Sequence, residues 1–416
     1  MPEATPGRMK WASALSTKPS LEAAVKEVVE QAQQRLQASA DLALVFISSA
    51  FASEYSRLMP LLKEHLSVSA LIGCSGGGVV GVDGSGGICE LEDEAALTLS
   101  LAHLPGVNVQ TFHLVEEDLP DLDSPPNRWS DLIGVPPEDR PHFILLSDSL
   151  SSETRDLLPG LDYAYPEAVK IGGMATSSSM SGNGLFRDFE FYREGTVGVA
   201  LSGNVVLEAI VAQGCRPIGH PYRVIEGERN IMLKLEQQDE SGEANDGEIC
   251  TPLEALQSLY QDLDDDEQEL AQNSLFIGVA QSEFKMRLEQ GDFLIRTMLG
   301  VDPRVGAIAI GDRVRPGQRI QFHLRDADAS AEDLEMLLQR YRQQHVGSSP
   351  AGALMFTCVG RGEGLYDEPN FDSKLFSQFI PNVPLSGFFC GGEIGPVGNS
   401  TFIHGYTSVF GICREP

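Results

Sequence analysis

One pattern recurs three times in this chain, and it restricts the fold more than any other feature. A short apolar run ends in small or polar residues, and about 30 residues later a second short apolar run meets glycine. The first occurrence joins LALVFI (42–47) to ALIGCSGGG (70–78), with a helix-like stretch at 54–65 between them. The second joins HFILLSD (142–148) to VKIGGMATSSS (169–179), and the third joins GALMFTCVGRG (352–362) to VPLSGFFCGGEIGP (383–396). Uninterrupted apolar runs belong to strands covered on both faces. Their spacing suits a strand–helix–strand crossover. The expected fold is therefore α/β, with two mixed-sheet α/β domains built from repeated strand–helix–strand units.

The rest of the chain fills in around these units. Leu21, Val25, Val28, Val29, Ala32 and Leu36 make a helical stripe, with Ser20 placed as its N-cap. Further strands are expected at 97–102, 107–114, 196–201, 205–213, 275–280, 293–299, 307–310 and 319–324. An amphipathic helix opens at Ser330 and is marked by Leu334, Leu337, Leu338 and Tyr341. Residues 216–221 (RPIGHP) carry two prolines and a glycine, which reads as a break between domains. The expected division is a flexible N-terminus at 1–19, one domain at 20–215 and a second at 216–416. An acidic, variable segment is expected at 236–269. From 235 to 284 there is no Lys, Arg or His. Asp262, Asp264 and Asp266 alternate as in a calcium loop, but Glu267 stands where that loop needs glycine and Asn273 where it needs Glu. They are read as a solvated helix end, and 239–248 as a variable hairpin tip.

The net charge of −30 opposes a general affinity for phosphate backbones or anionic lipid. No nucleic-acid partner and no membrane insertion are expected, because no apolar run approaches the roughly 20 residues of a span. Residues 1–20 lack the apolar core of a secretory signal. Seven cysteines, scattered and odd in number, do not read as a disulfide framework, and no CxxC pair suggests zinc. The expectation is a cytoplasmic protein with no metal and no cofactor.

Ligands of open α/β sheets gather at carboxyl strand ends. The first such junction, Gly73-Cys74-Ser75-Gly76-Gly77-Gly78, can bring backbone N–H groups close to a ligand, although a tight turn explains it equally. The second, Gly172-Gly173-Met174-Ala175-Thr176 with Ser177, Ser178 and Ser179, offers hydroxyls and also reads as a surface loop. The third sets Cys390 between a paired aromatic and Gly391-Gly392, followed by Glu393. Cys358, Arg361, Glu363 and His404 lie in the same half. Arg361 offers a planar fork suited to a carboxylate and Glu393 a partner for an amine, so together they would hold a zwitterion. Alternatively, Cys390 and His404 form a thiolate–imidazolium pair oriented by Glu393. Buried packing is the commoner role of a lone cysteine.

These motifs resemble the FIST family. LALVFISSAFA, SALIGCSGGGVVG and VKIGGMATSSS carry the N-terminal likeness, and GALMFTCVGRG with VPLSGFFCGGEIGPVGNSTFIHGYTSVF carries the C-terminal one. The resemblance implies a sensory module binding a small ligand such as an amino acid, in a family found with histidine kinases, chemotaxis-type receptors and F-box regions. It places the ligand site on Cys358, Arg361, Cys390, Gly391, Gly392, Glu393 and His404. Cys74, Ser75 and Gly76 join the candidate site from the first junction. No kinase core, receptor coiled coil or F-box is evident here, so output would pass through a signalling protein partner. An interaction scaffold using the acidic segment, and a cysteine-dependent hydrolase or transferase, remain as alternative functions.

Overall fold

A computed structural model describes residues 7–151, 153–176, 182–239, 244–281, 285, 287–288 and 291–416. The chain forms two compact units, one of residues 1–211 with 337–416 and the other of residues 212–336.

The larger unit is built from three copies of one arrangement. The first runs β1 (Lys10–Ser16), α1 (Leu21–Leu36), β2 (Leu42–Ser48), α2 (Tyr55–His65), β3 (Ala70–Gly76), β4 (Val79–Val82), β5 (Ile88–Leu91) and β6 (Leu97–His103). The second repeats it as β7 (Val107–Leu114), α3 (Pro126–Ile133), β8 (His142–Asp148), α4 (Thr154–Ala164), β9 (Lys170–Ala175), β10 (Leu185–Arg187), β11 (Glu190–Tyr192) and β12 (Thr196–Gly203).

The third copy opens with β13 (Val206–Ala212) and is interrupted by the smaller unit. That unit holds β14 (Arg216–Glu228), β15 (Ile231–Gln238), β16 (Ala244–Cys250), α5 (Pro252–Asp262), α6 (Asp265–Ser274), β17 (Leu275–Ala280), β18 (Phe293–Asp302), β19 (Ala307–Ile310) and β20 (Arg319–Leu324). The copy resumes through α7 (Ala327–Gln344), β21 (Gly352–Cys358), α8 (Glu363–Tyr366), α9 (Phe371–Phe379), β22 (Leu385–Cys390), β23 (Glu393–Val397), β24 (Ser400–His404) and β25 (Ser408–Arg414).

The expected crossovers are present. β2 and β3, β8 and β9, and β21 and β22 each pair in parallel. Each parallel pair sits in a six-stranded sheet, in the orders β1-β6-β2-β3-β10-β11, β7-β12-β8-β9-β23-β24 and β13-β25-β21-β22-β4-β5. Every sheet borrows its last hairpin from another copy. The first copy gives β4–β5 to the third sheet, the second gives β10–β11 to the first, and the third gives β23–β24 to the second. One apolar core takes residues from all three sheets, including Phe46, Cys74, Ile144, Leu146, Ile171, Phe356, Phe388 and Cys390. Helices cover the outer faces, as where α1 and α2 pack Val25, Val28, Leu58 and Leu62 against Val45 and Leu99.

In the smaller unit β14, β20, β17, β18, β19 and β15 follow one another, and β14 pairs back to β15, closing a six-stranded barrel. Among the described residues its strand pairings are all antiparallel, so the mixed sheets and crossovers lie in the larger unit. Ile277, Ile308, Phe322 and Leu324 fill its core. Asp264 accepts the Glu267 N–H at 2.8 Å and caps α6, which accounts for the acidic run there as a helix start. Residues 240–243 of the expected hairpin tip lie outside the described residues, and β16 occupies most of the remainder.

Two boundaries differ from expectation. Residues 10–16 of the presumed flexible terminus form a buried strand antiparallel to β6, because Trp11, Ala12, Ala14 and Leu15 complete the core. Residues 1–6 lie outside the described residues. The break at 216–221 is the start of strand β14, with a register shift between Ile218 and Pro221 that accommodates residues lacking an N–H. The division at 215/216 is therefore not a division into compact units. Only about 125 residues leave the larger unit there, and 337–416 return to it.

Candidate functional site

The three second strands end beside one another. Gly73, Gly172 and Gly387 sit at matching positions, opposite Val45, Leu145 and Met355 of the first strands. A Cβ at any of them would lie 2.2, 1.8 or 1.7 Å from the facing carbonyl oxygen, so only glycine allows this approach. Two to four residues further on, the strand ends bond cyclically. Thr176 N–H donates to Ser75 O (3.3 Å), Gly391 N–H to Met174 O (2.9 Å) and Gly77 N–H to Phe389 O (3.0 Å). A second set lies beneath it, from Ser75, Met174 and Phe389 N–H to the carbonyls of Gly184, Gly392 and Gly78. The three sequence junctions therefore form one place.

Its exposed rim is small and mixed. A Cβ on Gly391 would touch Thr176 and Ser149, and one on Gly77 would touch Val359 and Thr176. Ser149 and Gly391 are exposed, and Val359 is 48% exposed. The first strands reach this level with Ser48, Asp148 and Cys358, which share one register position. Asp148 is buried and accepts from Asn183 Nδ2 (2.7 Å) and Ser151 Oγ (3.1 Å), while Asn183 also donates to Ser149 Oγ (2.9 Å). Asp148, Ser149 and Asn183 carry no local motif; only the placement of β8 beside β9 makes them part of a site. Ser177, Ser178 and Ser179 lie outside the described residues.

The third copy adds a buried charged cluster. Arg361 is 1% exposed and forks onto Asp372, with Nε to Oδ2 at 2.9 Å and Nη2 to Oδ1 at 3.0 Å. Its Nη2 also meets the Tyr366 hydroxyl, and Nη1 reaches Tyr406 O. Glu393 is fully buried and accepts the Thr407 N–H at 3.0 Å. Burial pushes its carboxyl up to about 8, against the pull of that N–H, the Arg361 charge and the Cys358 thiol. Burial therefore favours its neutral form.

Internal comparison shows how unusual this cluster is. Glu393 pairs with Gly173, as Leu185 does with Cys74 and Val79 with Phe388. Glu90 pairs with Val80, as Phe191 does with Phe186 and Ile403 with Ile394. At both positions the sister copies are apolar and one copy carries a carboxyl. Burying a carboxyl in place of a Leu or Phe costs stability, which weighs against a purely structural role.

Among the described residues, those the sequence nominated lie on or just beyond strands β3, β21, β22, β23 and β24, in roles that differ from some expectations. Cys74, Ser75 and Gly76 are buried at the end of β3; Ser75 Oγ accepts the Gly184 N–H at 3.0 Å. Cys358 and Cys390 are register partners on adjacent strands. Gly391 is on the rim, and Gly392 packs beside Met174 and Ile403. His404 pairs opposite Glu393 with its Nε2 3.0 Å from Gly395 O. Arg361 spends its fork on Asp372, so the expected Arg361–Glu393 grip on a zwitterion is not the arrangement present. Cys390 is fully buried, and burial followed by the nearby Glu393 charge raises its thiol well above the ordinary range, so a nucleophilic thiolate is disfavoured.

Comparison with known proteins fits this architecture. A FIST N domain model matches residues 41–238 and a FIST C domain model matches residues 252–396. The chain belongs to the FIST family. An uncharacterised protein of Mycobacterium tuberculosis is 33% identical over 404 residues, covering 96% of this FIST chain and 98% of that protein. One of Mycobacterium bovis is 31% identical, with 96% and 97% covered. F-box only protein 22 of Homo sapiens is 40% identical over 83 residues, 19% of this chain and 21% of that protein. Among solved structures, a cyanuric acid hydrolase spans 99% of this chain and 100% of its own at 8% identity and a TM-score of 0.31, too slight a likeness to argue from. The FIST N match covers most of the first two copies and runs into the barrel, whereas the FIST C match covers the rest of the barrel and most of the third copy. Among the described residues no helix is long and apolar enough to cross a membrane.

Proposed function

We propose that this FIST protein is a sensory protein that holds a small polar ligand, an amino acid or similar carboxylate, at the meeting of its three strand ends and signals through a protein partner. The observation that carries the reading is the closed cycle of backbone bonds through Gly77, Thr176 and Gly391, combined with side chains that break its threefold likeness. A purely structural closure would use similar residues in all three copies. Here the second copy offers Asp148, Asn183, Ser149 and Thr176, and the third carries Arg361 and Glu393. Ser149 is exposed and Thr176 half-buried beside Gly391, and hydroxyls are donors suited to a carboxylate.

Ligand binding only to the native state raises the melting midpoint. A thermal-shift panel of amino acids and small carboxylates is expected to give a hit that Ser149→Ala combined with Thr176→Val abolishes. A flat response across the panel, or a hit unaffected by those substitutions, counts against the site.

A further inference from the structure

The loop bearing Arg361 is gripped by a hairpin from another copy. The β4–β5 hairpin belongs to the first copy but lies on the third sheet, beside β22. Its Glu90 Oε1 accepts the Ser373 N–H at 2.7 Å, and its Glu90 N–H donates to Asn370 Oδ1 at 2.6 Å. Just beyond it, Glu92 Oε1 accepts the Glu363 N–H at 2.9 Å. Gly362, at φ +70°, leaves room for the Glu92 carboxylate where a Cβ would come within 2.2 Å. Two carboxyls thus fasten the hairpin to the segment that follows Arg361, one at α8 and one at α9.

We propose that the β4–β5 hairpin is a proton-sensitive clamp on residues 359–373, closed while Glu90 carries its proton and loosened when Glu90 ionises. The groups around Glu90 make the sign clear. Asp372 on α9 stands close enough to repel an ionised Glu90; it pairs with Arg361 and accepts the Tyr366 hydroxyl at 2.9 Å. Cys89 and Glu92 flank Glu90 on its own hairpin, and Glu363 stands beyond Glu92. An ionised Glu90 therefore meets a second carboxylate in a buried place, with only the Ser373 N–H and hydroxyl in its favour. In the two other exchanged hairpins the same position is Phe191 or Ile403, which cannot respond to pH.

Burial and the Asp372 charge raise the Glu90 carboxyl from 4.5 to about 7 in the closed state. If release returns it to its ordinary value, the released state binds fewer protons between these limits. The opening constant then rises by up to about tenfold per pH unit from 4.5 to 7 and levels above. The clamp stands apart from the ligand reading, because it is measured with no ligand added.

Amide hydrogen exchange of the full chain from pH 5 to 8, corrected for intrinsic exchange, tests it. Protection at 359–363 and 370–374 is expected to fall up to pH 7 and then level in the wild type, and to stay high and flat in Glu90→Gln. Unchanged protection in the wild type, or an equal fall in Glu90→Gln, overturns the proposal. If the variant does not fold, a carbon-NMR titration of the wild-type Glu90 carboxyl decides: a midpoint near 7 supports the clamp, and one near 4.5 overturns it.

Discussion

At the scale of single residues, the contrast between tight and open glycines is the sharpest test of the fold. Gly387→Ala forces a Cβ into the Met355 carbonyl and is expected to cost at least about 3 kcal/mol, read from urea midpoints. Gly364→Ala, where nothing lies within 4 Å, should change stability little. Glu393 tests the cost of the buried acid. Its folded value of about 8 lies above the ordinary 4.5, so the folded state holds a proton the unfolded state has released, and stability falls as pH rises between those limits. Glu393→Leu, matching Leu185, is expected to flatten that decline and to stabilise at pH 8 by roughly 1–3 kcal/mol. In the barrel the sign is opposite. His323 is fully buried with its value lowered from 6.5 to about 4, so stability is lost as pH falls through that window, and His323→Phe should remove the loss. Cysteine labelling checks the packing: Cys74, Cys390 and Cys413 are buried and should resist alkylation at neutral pH, whereas Cys89 and Cys250, more accessible, react first.

At the scale of elements, exchange of hairpins explains what periodicity could not. The parallel strands and the first crossover helix, α2, were legible because each is encoded locally, by an apolar run of strand length or a helical stripe. LALVFI and HFILLSD became β2 and β8 with ends within a residue of expectation. Where β4, β10 and β23 pair was not legible, since hydrogen bonds to another copy leave no local signature. The same holds for β1, whose short apolar stretch follows a Pro/Thr-bearing start and resembles a frayed end. In the structure the Trp11 indole lies against Gly352 of the third copy. Truncation through Thr17 is therefore expected to abolish the cooperative transition of the larger unit, as followed by Trp129 fluorescence.

At the scale of the whole molecule, the barrel is an insertion within one copy of a threefold repeat. Both tryptophans, Trp11 and Trp129, lie in the larger unit, so their fluorescence reports that unit, whereas circular dichroism reports both. Residues 212–336 expressed alone are expected to show a cooperative thermal transition by circular dichroism, because the barrel has its own core and closed hydrogen bonding. A non-cooperative melt would show that the barrel depends on the rest of the chain.

Local chemistry by itself determined the parallel strands, the helices α1, α2 and α7, the crossover spacing, the family, and the glycine, cysteine and acidic residues of the candidate site. Tertiary structure alone decided their roles. It filled the Arg361 fork with Asp372, sank Cys390 in the core, drew Asp148 and Asn183 into the site, and placed Glu90 against α9. The reason is physical: strand and helix formation depends on neighbours a few residues away. The charge state and accessibility of a side chain depend instead on groups brought from hundreds of residues off.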